Sequence, residues 1–122
     1  MNSTQVLSHV VCSTDVPLIE KTIGAYFDES VARYPQQPAL VVNHQNVRYN
    51  YAQLQEQVNN LAVQLHKLGL NKGDRIGIWS HNCAEWVLTQ FATAKLGLIL
   101  VNINPAYRST ELSFALKSVG CK

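Results

Sequence analysis

From Tyr51 to Gly120 the chain switches hydrophobic period repeatedly, and this alternation constrains its fold more than any other feature. Tyr51, Leu54, Val58, Leu61, Leu65 and Leu68 recur at intervals of 3, 4, 3, 4 and 3, which lines one apolar stripe along one helix face. Arg75-Ile76-Gly77-Ile78-Trp79 then reads as a short strand. Asn82 and Glu85 have the spacing of an N-cap and its third-position partner, and they open a second helix. That helix carries Trp86, Val87, Leu88, Phe91, Ala92, Ala94 and Leu96. It is apolar most of the way round, which predicts burial by more than one neighbour. Gly97 ends it. Leu98 to Ile103 is a second strand and is predicted to be central, with Leu98 to Val101 as core and Pro105 as its stop. Ser109 or Thr110 caps a last helix whose Leu112, Ala115, Leu116 and Val119 share a face, and Gly120 closes it. An order of α, β, α, β, α implies parallel strands joined by right-handed helical crossovers.

The stretch before Tyr51 is of another kind. Thr22 reads as the N-cap of a helix with Ile23, Phe27 and Val31 on its apolar stripe and Asp28 and Glu29 facing water. Pro35 and Pro38 stop that helix. Ala39 to Val42 and Val47 to Tyr49 read as a hairpin turned at Asn43 to Asn46. Asn50 and Gln53 predict a capping box at the start of the long helix, and Gly69 its C-terminal cap. Residues 1–18 have no clean periodicity and read as a leader arm, partly disordered. Residues 19–122 form one unit. A stable sheet needs about three strands, and here one hairpin stands beside two parallel strands. Trp86, Phe91 and Leu116 also present apolar faces that need partners. The predicted fold class is therefore α/β: an incomplete parallel-sheet segment with an N-terminal helix and β-hairpin, the truncated first part of a larger N-terminal domain. Its exposed apolar faces offer a route to dimerisation.

Several function classes are excluded by what the residues lack. A formal net charge of +2 with no basic cluster argues against nucleic acid as a partner. Cys12, Cys83 and Cys121 are far apart and odd in number, which points away from a disulfide framework or zinc site and towards a reducing cytoplasm. No apolar run approaches the roughly 18 residues that span a bilayer, and the N-terminus lacks the pattern of a secretory signal. No Gly-x-Gly-x-x-Gly or P-loop pattern is present, and the six glycines read as caps and turns. His9, His44, His66 and His81 never form an i, i+4 pair, so no metal site is expected. Ser80 and His81 beside Cys83 read as the loop after a strand rather than as a nucleophile with its base.

Taken together, ordered stretches resemble the start of the adenylate-forming enzyme superfamily. Tyr49-Asn50-Tyr51-Ala52-Gln53-Leu54 resembles its first core motif, with Gln53 where Glu is common. Leu70-Asn71-Lys72-Gly73-Asp74-Arg75-Ile76 resembles its Gly-Asp-Arg turn, and Ala94-Lys95-Leu96-Gly97 through Asn104-Pro105 its second core motif. The likeness covers roughly residues 22–122. The form of residues 102–108 is most similar to medium-chain and related fatty acyl-CoA synthetases. The resemblance implies a parent enzyme that uses ATP, magnesium and CoA to activate a fatty acid or other carboxylic acid and pass it to CoA as a thioester. The family's phosphate loop and catalytic lysine have no counterpart in this stretch, so no catalytic residue carries over. The segment is expected to be inactive alone and to bind none of these cofactors tightly. The resemblance places the loop Pro105-Ala106-Tyr107-Arg108 near the nucleotide part of CoA. Arg108 would pair with a phosphate and Tyr107 would flank adenine. The plainer alternative is Tyr107 packed on the domain and Arg108 solvated. Two further readings stand beside this one: an adenylation domain that loads a carrier protein, and a non-enzymatic α/β binding module.

Overall fold

The computed structural model describes residue 13 and residues 15–122. The leader-arm expectation falls mostly on residues outside this range. Its described part, up to residue 18, is exposed and without regular structure.

Helix α1, Ile23–Arg33, begins where Thr22 accepts a hydrogen bond on its hydroxyl from the Ala25 N–H at 3.2 Å. Its buried face is Gly24, Phe27 and Val31 rather than the expected Ile23, Phe27 and Val31, and Ile23 is exposed. The reason is close packing. A side chain at Gly24 would meet the backbone Cα of Lys95 at 3.3 Å, so α1 rests on the third helix through its glycine.

Strands β1, Pro38–Val42, and β2, Val47–Asn50, pair antiparallel as expected. A single 3-10 turn, Asn43–Gln45, joins them, and Asn46 takes the left-handed conformation at φ 54°. Asparagine tolerates that region better than most residues. Helix α2, Tyr51–Lys67, carries the full capping box: Asn50 accepts from the Gln53 N–H at 2.8 Å and Gln53 accepts from the Asn50 N–H at 3.0 Å. Leu54, Val58, Ala62 and Leu65 form its buried face. Leu68 lies past the last turn and is exposed.

Strand β3, Arg75–Trp79, and strand β4, Ile99–Ile103, pair in parallel, with helix α3, Ala84–Leu96, as the crossover. Gly97 takes φ 67° and lets the chain pass from α3 to β4 in two residues, Gly97 and Leu98. Helix α4, Ser109–Val119, follows. Ile76 packs into the core with Leu88 and Phe91, whereas Gly77 faces Leu116 of α4. The two helices therefore lie on opposite faces of the parallel pair. After α4 the chain returns to the sheet: Cys121 bridges to Arg75 in parallel, and the Lys122 N–H donates to the Arg75 carbonyl at 3.0 Å. Thus β3, and not β4, has backbone partners on both sides among the described residues.

Several expectations change with this arrangement. Ile99 is half exposed, because strand alternation sends it to the face that α4 covers poorly. Phe91 finds its partner within the chain, stacking on Phe27 at 4.5 Å between ring centroids. Gly24 and Gly77 are sites of close approach rather than caps or turns. Exposed apolar side chains do persist on α4, at Phe114 and Val119, and on the sheet at Trp79.

Asp28 is not simply solvated. Its carboxylate accepts from the Lys95 ammonium at 2.5 Å and from the Gln55 amide at 2.7 Å, and Lys95 also donates to Asn59 at 2.9 Å. Three helices are tied through these groups. Burial alone would raise the Asp28 carboxyl, but hydrogen bonds from Lys95 and Gln55 outweigh it and hold it below the ordinary range. A carboxylate with a depressed folded-state pKa stabilises the fold above the unfolded value and ceases to do so as pH falls through the folded one. Asp28→Asn is therefore expected to flatten the acid side of the stability profile. For a half-exposed group the discounted contribution is about 0.5 kcal/mol. In melting temperature this corresponds to roughly 2–4 °C at pH 7, shrinking as the pH is lowered below the ordinary carboxylate range, a trend that thermal unfolding at a series of pH values measures.

Candidate functional site

In open parallel sheets, ligands bind outside the carboxyl ends of the strands. The carboxyl ends of β3 and β4 here enclose an open cleft of about 380 Å³. One wall is the loop after β3, Ser80, His81 and Asn82, together with Trp86 from the first turn of α3. The other is the end of β4 and the turn after it, Asn102 to Pro105. A roomier hollow of about 550 Å³ lies at the opposite, amino ends of the strands, beside Lys72 and Gly97. Its Lys95 is already committed to Asp28, so the carboxyl-end cleft is the better candidate.

The cleft is lined by an indole, three side-chain amides, a hydroxyl and an imidazole, with no carboxylate, lysine or arginine among its lining residues. Ser80 donates from its hydroxyl to the His81 carbonyl at 2.9 Å, which folds the first wall. Asn104 accepts on its side chain from the Ala106 N–H at 3.0 Å and on its carbonyl from the Tyr107 N–H at 3.0 Å. This Asx-type turn steers the chain out of β4. Such a surface suits an uncharged, amide-bearing ligand segment. Among the described residues no three His, Cys, Asp or Glu side chains gather as a metal cage.

The first wall depends on a contact that the sequence does not disclose. The expected N-cap, Asn82, lies one residue too early. Helix α3 begins at Ala84 with Cys83 as N-cap, and Cys83 offers it no side-chain bond. Instead Gln45, from the hairpin turn, accepts from the Ala84 N–H at 2.7 Å and donates to Glu85 at 2.8 Å. The Gln45 amide holds the Glu85 carboxyl below its ordinary range.

Tyr107 and Arg108 do not line the cleft. They follow its second wall, two and three residues beyond Pro105. Tyr107 is 40% exposed. Arg108, and not Ser109 or Thr110, is the N-cap of α4: its N–H donates to Glu111 at 3.2 Å, leaving an exposed side chain. Its guanidinium enters no ion pair among the described residues. Sequence reasoning missed Trp86 and Asn102. For Asn102 the available signal was its place near the end of a strand, and for Trp86 its place in the first turn of the helix that follows one. For Gln45, 39 residues from Ala84, there was none.

A parallel β–α–β unit with helices on both faces and a polar cleft at its carboxyl edge is an arrangement of the open α/β class. The AMP-binding enzyme family model matches residues 27–122, and the chain belongs to that family. It is 48% identical over 116 residues to the medium-chain acyl-CoA ligase ACSF2, mitochondrial, of Rattus norvegicus, a match covering 95% of this chain and 19% of the relative. The chain thus spans about a fifth of the length of the curated relatives it matches. Among solved structures, the N-terminal domain of FACL13 from Mycobacterium tuberculosis is similar, with a TM-score of 0.81 and 34% identity over 84% of this chain and 26% of that one. So is NpsA-ThdA, an artificially fused adenylation–PCP di-domain from Klebsiella oxytoca, with a TM-score of 0.78 and 27% identity over 84% of this chain and 19% of that one. These matches bear out the α/β segment and the family resemblance.

The expected cytoplasmic location is corrected by the same comparison. The rat relative is named a mitochondrial protein, as are its mouse and cattle counterparts. The reading rested on three cysteines far apart in the sequence, and their spacing does not separate one reducing compartment from another.

Proposed function

We propose that this chain is the opening part of the N-terminal domain of an ATP-dependent medium-chain acyl-CoA ligase, with residues 19–122 as its folded unit. The observation that carries this reading is the identity of 48% to a medium-chain acyl-CoA ligase over 95% of the chain. A carboxylate resists nucleophiles because of its charge and resonance. In the parent enzyme, ATP with magnesium would supply the activation, converting the acid to an acyl-adenylate with loss of pyrophosphate. The CoA sulfur then attacks the acyl carbon, the bond to AMP breaks, and the thiol proton leaves.

The residues of this chain fit CoA better than ATP or magnesium. CoA joins an uncharged arm with two amide groups to a nucleotide with phosphates. The cleft offers neutral amides and the indole of Trp86 for the arm. Beyond Pro105, Arg108 presents an exposed guanidinium, whose fork matches phosphate geometry, and Tyr107 an exposed ring. Among the described residues no group of three His, Cys, Asp or Glu offers a magnesium cage, and adenylate formation is assigned in this reading to the rest of the parent protein.

Arg108→Ala in the intact enzyme is expected to raise the KM for CoA about tenfold, the order of one charge-assisted phosphate contact. Acid-dependent exchange of pyrophosphate into ATP should persist. An unchanged KM for CoA would remove Arg108 from the site. Likeness to NpsA-ThdA favours a second reading, a carrier-loading adenylation enzyme. In that case the acid-dependent exchange persists but free CoA accepts no acyl group.

A further inference from the structure

Gln45 lies in the hairpin turn, far along the chain from the cleft, yet its amide grips the start of α3. Its Oε1 accepts from the Ala84 N–H at 2.7 Å, and its Nε2 donates to Glu85 Oε2 at 2.8 Å. These two anchor points fall between two residues of the cleft wall, Asn82 before them and Trp86 after them. Ala84 is buried, 4% exposed, so its N–H has little access to water. Cys83 contributes no side-chain cap, and the Gln45 oxygen takes that place. The opposite wall, Asn102 to Pro105, continues β4 and is held by the ladder to β3. Both walls leave the same strand pair, but the first continues into α3, whose start is tied by a side chain from the hairpin.

We infer that Gln45 is a positioning residue, which clamps the α3 wall of the cleft and so sets the spacing between Trp86 and the Asn102–Pro105 turn that a ligand meets. The inference rests on the CoA reading proposed above. Releasing the clamp frees the first turn of α3, which carries Trp86, while the rest of the helix stays packed in the core through Leu88, Phe91 and Ala92. Misplacement of binding groups by about 1 Å costs up to roughly a hundredfold in rate.

The test uses the intact enzyme and two paired substitutions. Gln45→Glu keeps an acceptor for Ala84 but sets a carboxylate against Glu85. It is expected to raise the KM for CoA by about fivefold or more, within the range that misplaced binding groups produce. Acid-dependent ATP–pyrophosphate exchange should stay within about twofold of wild type, because Gln45 serves only the cleft wall in this scheme. Adding Glu85→Gln reverses the roles of donor and acceptor, and the double variant should regain the wild-type KM. A KM within twofold of wild type for Gln45→Glu would overturn the inference. So would a parallel fall in exchange, thioester formation and melting temperature that Glu85→Gln does not reverse, since that pattern marks a purely structural contact. Absence of CoA-dependent turnover in the wild-type enzyme itself would instead overturn the CoA reading, and the inference with it.

Discussion

Replacing Phe27 with alanine is expected to cost about 3–5 kcal/mol, the range for a buried phenylalanine. The ring is 4% exposed and joins α1 to α3 by stacking on Phe91 with centroids 4.5 Å apart and planes at 26°. The Lys95 ammonium sits 5.6 Å from the Phe27 centroid, so the substitution also removes a cation–π contact beside the Asp28 ion pair. Neighbours from three elements frame the site. At about 4 °C or more per kcal/mol, the melting temperature should fall by roughly 12 °C or more. Phe27→Leu, which fills much of the volume, should lose less than half as much. A loss below about 1 kcal/mol for Phe27→Ala, in the range of surface substitutions, would show that α1 is not docked through this residue.

Gly77→Val is expected to act on the other face of the sheet. A Cβ at this position would lie 2.9 Å from Ile103 Cδ1 and 3.0 Å from Leu116 Cδ2. Both atoms are tips of flexible side chains, so alanine displaces them by a few tenths of an ångström. The branched methyls of valine have no such escape, and α4 must move away from β3. Overpacking of this kind costs about 1–3 kcal/mol, offset in part by the roughly 0.5–1 kcal/mol that a strand gains when glycine is replaced. The loss is local, so amide hydrogen exchange should speed up in α4 more than in α2. Arg108 caps α4, so the same substitution should weaken any ligand that Arg108 holds. Unchanged exchange in α4 would mean that the helix is not seated through Gly77.

The elements themselves were legible in the sequence because local chemistry fixes them. The 3-4-3-4-3 stripe and the Asn50–Gln53 box needed only neighbours within a turn or two, and α2 starts where they place it. The left-handed glycines at 97 and 120 likewise end α3 and α4 where expected. What escaped was non-local. Asn82 had the spacing of an N-cap, but Gln45 reaches across from the hairpin and the helix starts one residue later. Asp28 had the pattern of a solvated face, yet Lys95, 67 residues on, draws it into a polar knot. Gly24 and Gly77 looked like punctuation, and only the packed helices reveal them as contact points. The same limit governs the site. A strand end followed by Asn104-Pro105 marked the right region, but the cleft needs the β3 loop beside it, and parallel pairing brings the two together. Tyr107 and Arg108 follow that region rather than line it.

The most direct measurement is product formation by the intact protein that carries this chain, supplied with octanoate, ATP, magnesium and CoA. Octanoyl-CoA, AMP and pyrophosphate in equal amounts, with no AMP released when the acid is withheld, is the predicted result. A folded protein that forms neither AMP nor thioester across short-, medium- and long-chain acids would contradict the assignment.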